Sequence, residues 1–201
     1  MGDHVMDIGA RVPRARHPAL RWLAQRILSL LGWRLDVHLP DEPRLVVLAA
    51  PHTSNWDGVL AVLAILALEL RMGLFVKHSA FENRIIGPIL QRVGAIPIDR
   101  RAPGGLVGQT VAAFKTRAEL LIGLAPEGTR RRVEKWKRGF HLIAREARVP
   151  IVCAYLDYRR RVIGSGLQLH ASEDYPADLE RIQAFYRSVT PKRPENFSAS
   201  G

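Results

Sequence analysis

The amino-acid sequence predicts an α/β fold: a single domain with a mainly parallel, buried sheet flanked by helices, and an N-terminal amphipathic helix. Three observations predict it. Apolar runs of strand length alternate along the chain with segments of helical periodicity. The run Pro150 to Leu156 is apolar throughout, as a strand covered on both faces would be. The chain of 201 residues, 47% apolar and 24% charged, is long enough for one full core and contains no internal repeat or dividing linker.

Taken in order, residues 1–17 lack useful periodicity and read as a polar lead-in. In residues 18–34, Leu20, Leu23, Ile27, Leu30 and Leu31 fall at helical spacing among Arg21, Arg26, Arg34, Trp22 and Trp33. Such a helix either lies in a membrane interface or packs on the core with a charged outer face. The turn signal Leu39-Pro40-Asp41-Glu42-Pro43 precedes a strand from Arg44 to Ala50, and Gly58 to Leu70 forms a largely buried helix. A strand over Leu74 to Lys77, a helix near Arg84 to Arg92 and a strand over Ala95 to Ile98 follow. Next come a helix over Leu106 to Arg117, a strand over Glu119 to Leu124 and a basic loop over Ala125 to Arg138. A helix over Phe140 to Arg148 leads to the strand Pro150 to Leu156. Val162 to Leu169 adds a strand and Ala177 to Val189 a last helix; residues 191–201 read as a frayed tail. The domain is therefore expected to span residues 18–190.

The net charge of +11 attracts anionic partners, whether nucleic acid, lipid headgroups or phosphorylated small molecules. Nucleic acid is disfavoured, because the basic clusters lack the interleaved aromatic residues of a stacking surface. The single Cys153 excludes an internal disulfide and reads as a buried thiol in a reducing, cytosolic setting. No Cys/His spacing suggests a metal site. The longest uninterrupted apolar run, Val59 to Leu68, has ten residues, whereas a spanning helix needs about twenty. No secretory signal is visible in Met1 to Pro18. The expected location is cytoplasmic, peripheral to the inner face of the membrane.

In parallel sheets chemistry gathers where loops leave the carboxyl ends of the strands. Three polar segments follow predicted strands, His52 to Asp57, Asp99-Arg100, and Glu127 to Arg130, and Lys77 ends another. The spacing of His52 and Asp57 allows two readings. Asp57 can simply stabilise a helix capped by Ser54, or its carboxylate can fold back onto His52, fix the imidazole tautomer and stabilise the imidazolium. No Gly-x-Ser-x-Gly elbow supplies a protein nucleophile, so a basic His52 would activate a substrate hydroxyl directly. Arg100 could contact phosphate through paired hydrogen bonds or be a solvated charge. Glu127 could bind substrate hydroxyls and Arg130 a phosphate oxygen, or the two could form a local pair in a surface turn tightened by Pro126 and Gly128.

Together these segments resemble the glycerolipid acyltransferase family that includes lysophosphatidate and glycerol-3-phosphate acyltransferases. The blocks that carry the resemblance are His52-Thr53-Ser54-Asn55-Trp56-Asp57, Gly94-Ala95-Ile96-Pro97-Ile98-Asp99-Arg100, Pro126-Glu127-Gly128-Thr129-Arg130 and Val149-Pro150-Ile151-Val152, in that order. The likeness covers roughly Arg44 to Tyr158, the catalytic portion 44–158. It implies that His52 is a general base with Asp57 as partner, and that Arg100 binds an acceptor phosphate with Lys77 and Arg130 as helpers. Glu127, Gly128 and Thr129 would shape the acceptor site, and Pro150 would edge the acyl cleft.

The resemblance also implies an acyl-CoA or acyl-carrier-protein donor, a lysophospholipid-like acceptor such as 1-acylglycerol-3-phosphate, no metal or organic cofactor, and a membrane surface rich in anionic lipid as partner. A non-phosphate acceptor such as an aminolipid, or a non-catalytic lipid-binding module, are the alternatives. Two departures touch the third block. Ala125 stands where an aromatic residue is usual, and Arg131-Arg132 stand where a small polar residue often follows. Both bear on substrate identity more than on reaction type.

Overall fold

A computed structural model describes residues 5–73, 82, 84, 96 and 105–198, and the backbone of 75–77, 97 and 98. Its elements are β1 (Val5–Ile8), α1 (Pro18–Leu30), β2 (Arg34–Leu39), β3 (Arg44–Ala49), α2 (Asn55–Ala67), β4 (Met72–Gly73), β5 (Phe75–Lys77), β6 (Ile96–Ile98), α3 (Gly105–Thr116), β7 (Leu120–Leu124), α4 (Gly139–Ala147), β8 (Ile151–Asp157), β9 (Val162–Leu169) and α5 (Tyr175–Tyr186), then a single 3-10 turn at Pro194–Asn196. The expected helix near Arg84 to Arg92 lies outside the described residues.

The main sheet has seven strands in the order β1-β2-β9-β8-β3-β7-β4, with β8 and β9 antiparallel and the other pairings parallel. Its centre is apolar because both faces are covered: Leu45, Leu48, Leu121, Ile122, Ile151 and Val152 are fully enclosed. One core layer joins the sheet to α3, α4 and α5 through Phe114, Ile143, Ile182 and Tyr186. The other joins it to α1 and α2 through Leu28, Leu60 and Ala64. The mainly parallel α/β architecture follows the sequence expectation.

Four differences from that expectation have physical causes. The lead-in contains β1, an edge strand whose register pairs Val5 with Asp36 and Ile8 with Leu39. Its side chains are largely exposed, so backbone pairing holds it and no apolar period marks it. Strand β2 occupies residues between the expected helix and the turn; Leu35, Val37 and Leu39 are buried in strict alternation, a period of two that five residues can carry. Helix α1 ends at Leu30 and buries Ala24 and Leu28, leaving Leu20, Trp22, Leu23, Leu30 and Leu31 exposed. Most of the apolar stripe read from the sequence is therefore exposed, and the buried face of the helix is formed by Ala24 and Leu28. Strands β5 and β6 form a separate parallel pair, with Phe75 opposite Ile96 and Lys77 opposite Ile98, and are not part of the main sheet.

The described residues of the C-terminal segment, 190–198, are docked rather than frayed. The amide of Tyr158 donates to the Thr190 carbonyl at 2.9 Å, Trp136 Nε1 donates to the Ser198 carbonyl at 3.2 Å, and the Phe197 ring lies 6.4 Å from that of Trp136. Cys153 is buried, and desolvation pushes its thiol up to about 12, which leaves it unreactive.

Because Ile122 on β7 is fully enclosed, Ile122→Ala is expected to lower unfolding stability by about 2–5 kcal/mol, measured by urea denaturation. A loss below about 1 kcal/mol would contradict the full burial assigned to this side chain.

Candidate active site

The site forms where β3 ends. After Ala49 the chain passes through a cis Ala50–Pro51 bond to His52 and starts α2 at Asn55. Ser54 caps that helix: its Oγ accepts the Trp56 amide at 3.2 Å, while Asp57 Oδ2 accepts the Ser54 amide at 2.8 Å. The same Oδ2 accepts the Thr53 amide at 2.7 Å and lies 3.6 Å from His52 Nδ1. Both sequence readings of Asp57 therefore describe one geometry, since the carboxylate that completes the cap also faces the imidazole.

Asp57 is 2% exposed, and such a buried carboxylate needs hydrogen-bond donors on every side. The remaining oxygen, Oδ1, accepts the hydroxyl of Tyr158 at 2.6 Å, from the residue just beyond β8. Burial and the adjacent carboxylate push the Tyr158 phenol far up, so it stays protonated as a donor. Trp33 meets the Tyr158 ring edge-on at 5.0 Å. Sequence reasoning missed this tyrosine because its partner is 101 residues away. The local signal, a Tyr just past an apolar strand end, is too common to single it out.

Glu127, in the loop after β7, is 3% exposed, and its two carboxylate oxygens accept the backbone amide of His52 at 2.9 and 3.2 Å. It is not in a surface turn, and it fixes the loop that carries the imidazole. Desolvation first, and then the nearby Asp57 charge, raise its carboxyl from 4.5 to about 7, against the lowering effect of the His52 amide. Gly128 follows with φ +65, and a β-carbon there would stand 2.6 Å from Lys137 Nζ. Glycine takes this left-handed backbone without strain and leaves room for the Lys137 side chain. The His52 imidazole is held below its ordinary value, chiefly by burial and secondarily by the Arg130 charge, with Asp57 opposing. It is therefore neutral, and able to accept a proton, at neutral pH.

His52, Asp57, Glu127, Gly128, Thr129 and Arg130 come from strand ends that are neighbours in the sheet, β3 and β7. Lys77 ends the separate strand β5, and its side chain lies outside the described residues, as does Arg100. Pro150 is not brought to this rim. It precedes β8, and its carbonyl accepts the amide of Val46 near the start of β3, at the opposite end of the sheet from His52. A residue that enters a parallel strand necessarily falls at the end away from one that leaves its neighbour. Among the described residues, no group of three His, Cys, Asp or Glu side chains could hold a metal ion.

A family model described as "Acyltransferase" matches residues 35–157, the span that contains β3, α2, β7, β8 and the His52–Asp57 pair. The chain belongs to the glycerolipid acyltransferase family. It is 32% identical over 118 residues to a 1-acyl-sn-glycerol-3-phosphate acyltransferase of Bacillus subtilis, covering 58% of this chain and 57% of that one. It is 29% identical over 138 residues to the enzyme of that name from Streptococcus pneumoniae, covering 66% of this chain and 51% of that one. The chain thus spans little more than half the length of these relatives. In fold it is similar to the crystal structure of the 1-acyl-sn-glycerophosphate (LPA) acyltransferase PlsC from Thermotoga maritima, with TM-score 0.55 and 14% identity over 85% of this chain and 75% of that one.

The raised Glu127 carboxyl has a measurable consequence. In the folded chain it holds a proton up to about pH 7, and in the unfolded chain only up to 4.5. Its contribution to stability is full below pH 4.5 and is lost as pH rises through about 7, a change on the order of 3 kcal/mol. Glu127→Gln is expected to remove this slope in urea unfolding between pH 5 and about 7.5. A variant with the wild-type slope would show that the proton sits elsewhere.

Proposed function

We propose that the protein transfers a fatty acyl group from a thioester, acyl-CoA or acyl-carrier protein, to a hydroxyl of a lysophospholipid-like acceptor such as 1-acylglycerol-3-phosphate. The observation that carries this reading is the approach of Asp57 Oδ2 to His52 Nδ1 at 3.6 Å, with the carboxylate tied on its other sides by Thr53, Ser54 and Tyr158. An imidazole oriented through Nδ1 leaves Nε2 as the proton acceptor. As the acceptor oxygen attacks the thioester carbonyl, His52 takes its proton. When the tetrahedral adduct collapses, the C–S bond breaks and His52 returns the proton to the departing thiolate. The acyl group passes directly, without a covalent acyl-enzyme.

Arg100 is proposed to bind the acceptor phosphate, with Lys77 and Arg130 assisting. The positive charge of Arg130 already acts on His52, which supports its proximity to the reacting centre. Glu127, Gly128 and Thr129 would shape this acceptor site through the His52 loop. No metal or organic cofactor is called for in this scheme.

The proposed setting is the surface of an anionic membrane. Among the described residues no helix is long and apolar enough to cross a bilayer. Helices α1 and α2 pack together, and their outer surfaces expose Leu20, Trp22, Leu23 and Leu30 on one and Trp56, Val59 and Val62 on the other. Arg26 stacks over Trp22 at 5.5 Å, so cationic and apolar groups share this surface. That combination suits an interface of acyl chains beneath anionic headgroups, next to the helix end where His52 lies.

His52→Ala should lower acyl transfer by about a hundred- to ten-thousand-fold with the fold intact, assayed with acyl-CoA and a panel of lyso-acceptors; unchanged transfer sinks the mechanism. In the same assay Arg100→Ala should raise KM mainly for phosphorylated acceptors. An equal loss with uncharged acceptors argues against phosphate contact. Replacing Trp22, Leu23 and Leu30 together by Ser should release the protein from vesicles containing phosphatidylglycerol. Retention of full vesicle binding would remove this surface from the membrane contact.

A further inference from the structure

The C-terminal segment, expected to be a loose tail, forms one wall of a cleft beside His52. Pro191 is buried, Lys192 Nζ stands over the rings of Trp56 at 5.1 Å and Tyr158 at 5.5 Å, and the Arg193 amide donates to Thr53 Oγ1 at 3.3 Å. These contacts bring Arg193 to an open cleft of about 390 Å³ that Arg130 and Arg131 also line. The first turn of α2, from Ser54 to Trp56, lines the same cleft, with the positive end of the helix dipole.

No acidic side chain lines this cleft among the described residues. Ion pairs of the described arginines are made by Arg11, Arg21, Arg71, Arg160, Arg181 and Arg187, and not by these three. Three guanidinium groups and a helix N-terminus facing one space repel one another unless an anion enters it. Arginine also matches the oxygens of a phosphate in paired hydrogen bonds. Arg131, which lines this cleft, is one of the departures from the usual third block.

We propose that Arg131 and Arg193, together with Arg130, form a phosphate subsite closed on one side by the docked C-terminal segment. Its ligand is a phosphate monoester, a dianion presented by either substrate of the reaction: the headgroup of the acceptor or the 3′-phosphate of coenzyme A. Its place in catalysis rests on the acyl-transfer reading, but anion capture does not.

The test is calorimetric titration of the full chain with 1-O-octylglycerol 3-phosphate, with 1-O-octylglycerol and with coenzyme A, for wild type, Arg131→Gln, Arg193→Gln and Arg193→Lys. Each Gln variant should weaken binding of a phosphorylated probe by about tenfold, the loss of one charge-assisted contact, with Arg193→Lys retaining part of it. Unfolding midpoints should match wild type. Weakening confined to octylglycerol phosphate assigns the subsite to the acceptor; weakening confined to coenzyme A assigns it to the donor. Unchanged binding of both probes by Arg131→Gln and Arg193→Gln overturns the proposal, as does equal weakening of unphosphorylated octylglycerol. The binding readout needs no turnover. Failure of acyl transfer in the wild type would sink the reaction scheme and leave the subsite standing.

Discussion

The candidate site depends on one buried carboxylate. Asp57 accepts the amides of Thr53 and Ser54 and the hydroxyl of Tyr158, and it faces the imidazole of His52. A carboxylate this deep is tolerable only with its oxygens occupied by donors, so the requirement propagates outward. It fixes the first turn of α2, which must start where Ser54 can cap it. It fixes the end of β8, from which Tyr158 reaches back. Through Tyr158 it also draws in the C-terminal segment, since the backbone of that residue bonds Thr190 and its ring underlies Lys192. Removing any of these donors would leave a charge with fewer partners in a space water cannot reach.

Around this hub, Glu127 and Arg130 act on the same imidazole from the neighbouring strand. Glu127 holds the backbone of His52, and Arg130 acts on it through charge. The loop after β7 can perform both tasks because β3 and β7 are adjacent and parallel, which brings their carboxyl ends to one rim. Parallel pairing thus converts two distant sequence blocks into one site. The same rule moves Pro150 away, because its block precedes a strand where the others follow one.

The helix pair α1–α2 and the basic cleft lie on either side of this rim, and Trp56 belongs to both. It is exposed on α2, lines the cleft and lies beneath Lys192. An apolar surface, a cationic cleft and a neutral imidazole are therefore continuous over the start of one helix. That continuity accords with the proposed acceptor, which would join a long acyl chain to a charged head.

Much of the fold was readable along the chain. The runs Leu120 to Leu124 and Ile151 to Leu156, the helix between them and the cap at Ser54 are local patterns, set by burial on two faces and by backbone amides needing partners. What the sequence left open is long-range. Strand β1 has no apolar period because its side chains are largely exposed, and α1 buries Ala24 and Leu28 although most of its apolar residues are exposed. The site divides in the same way. His52 and Asp57 are five residues apart, so a strand-to-helix turn written in the sequence itself suffices to bring them together. Tyr158, the inward turn of Glu127 and the docking of Arg193 depend on which strands are neighbours and what covers them. Hydrogen bonds across a hundred residues leave no local trace, so tertiary structure alone decided them.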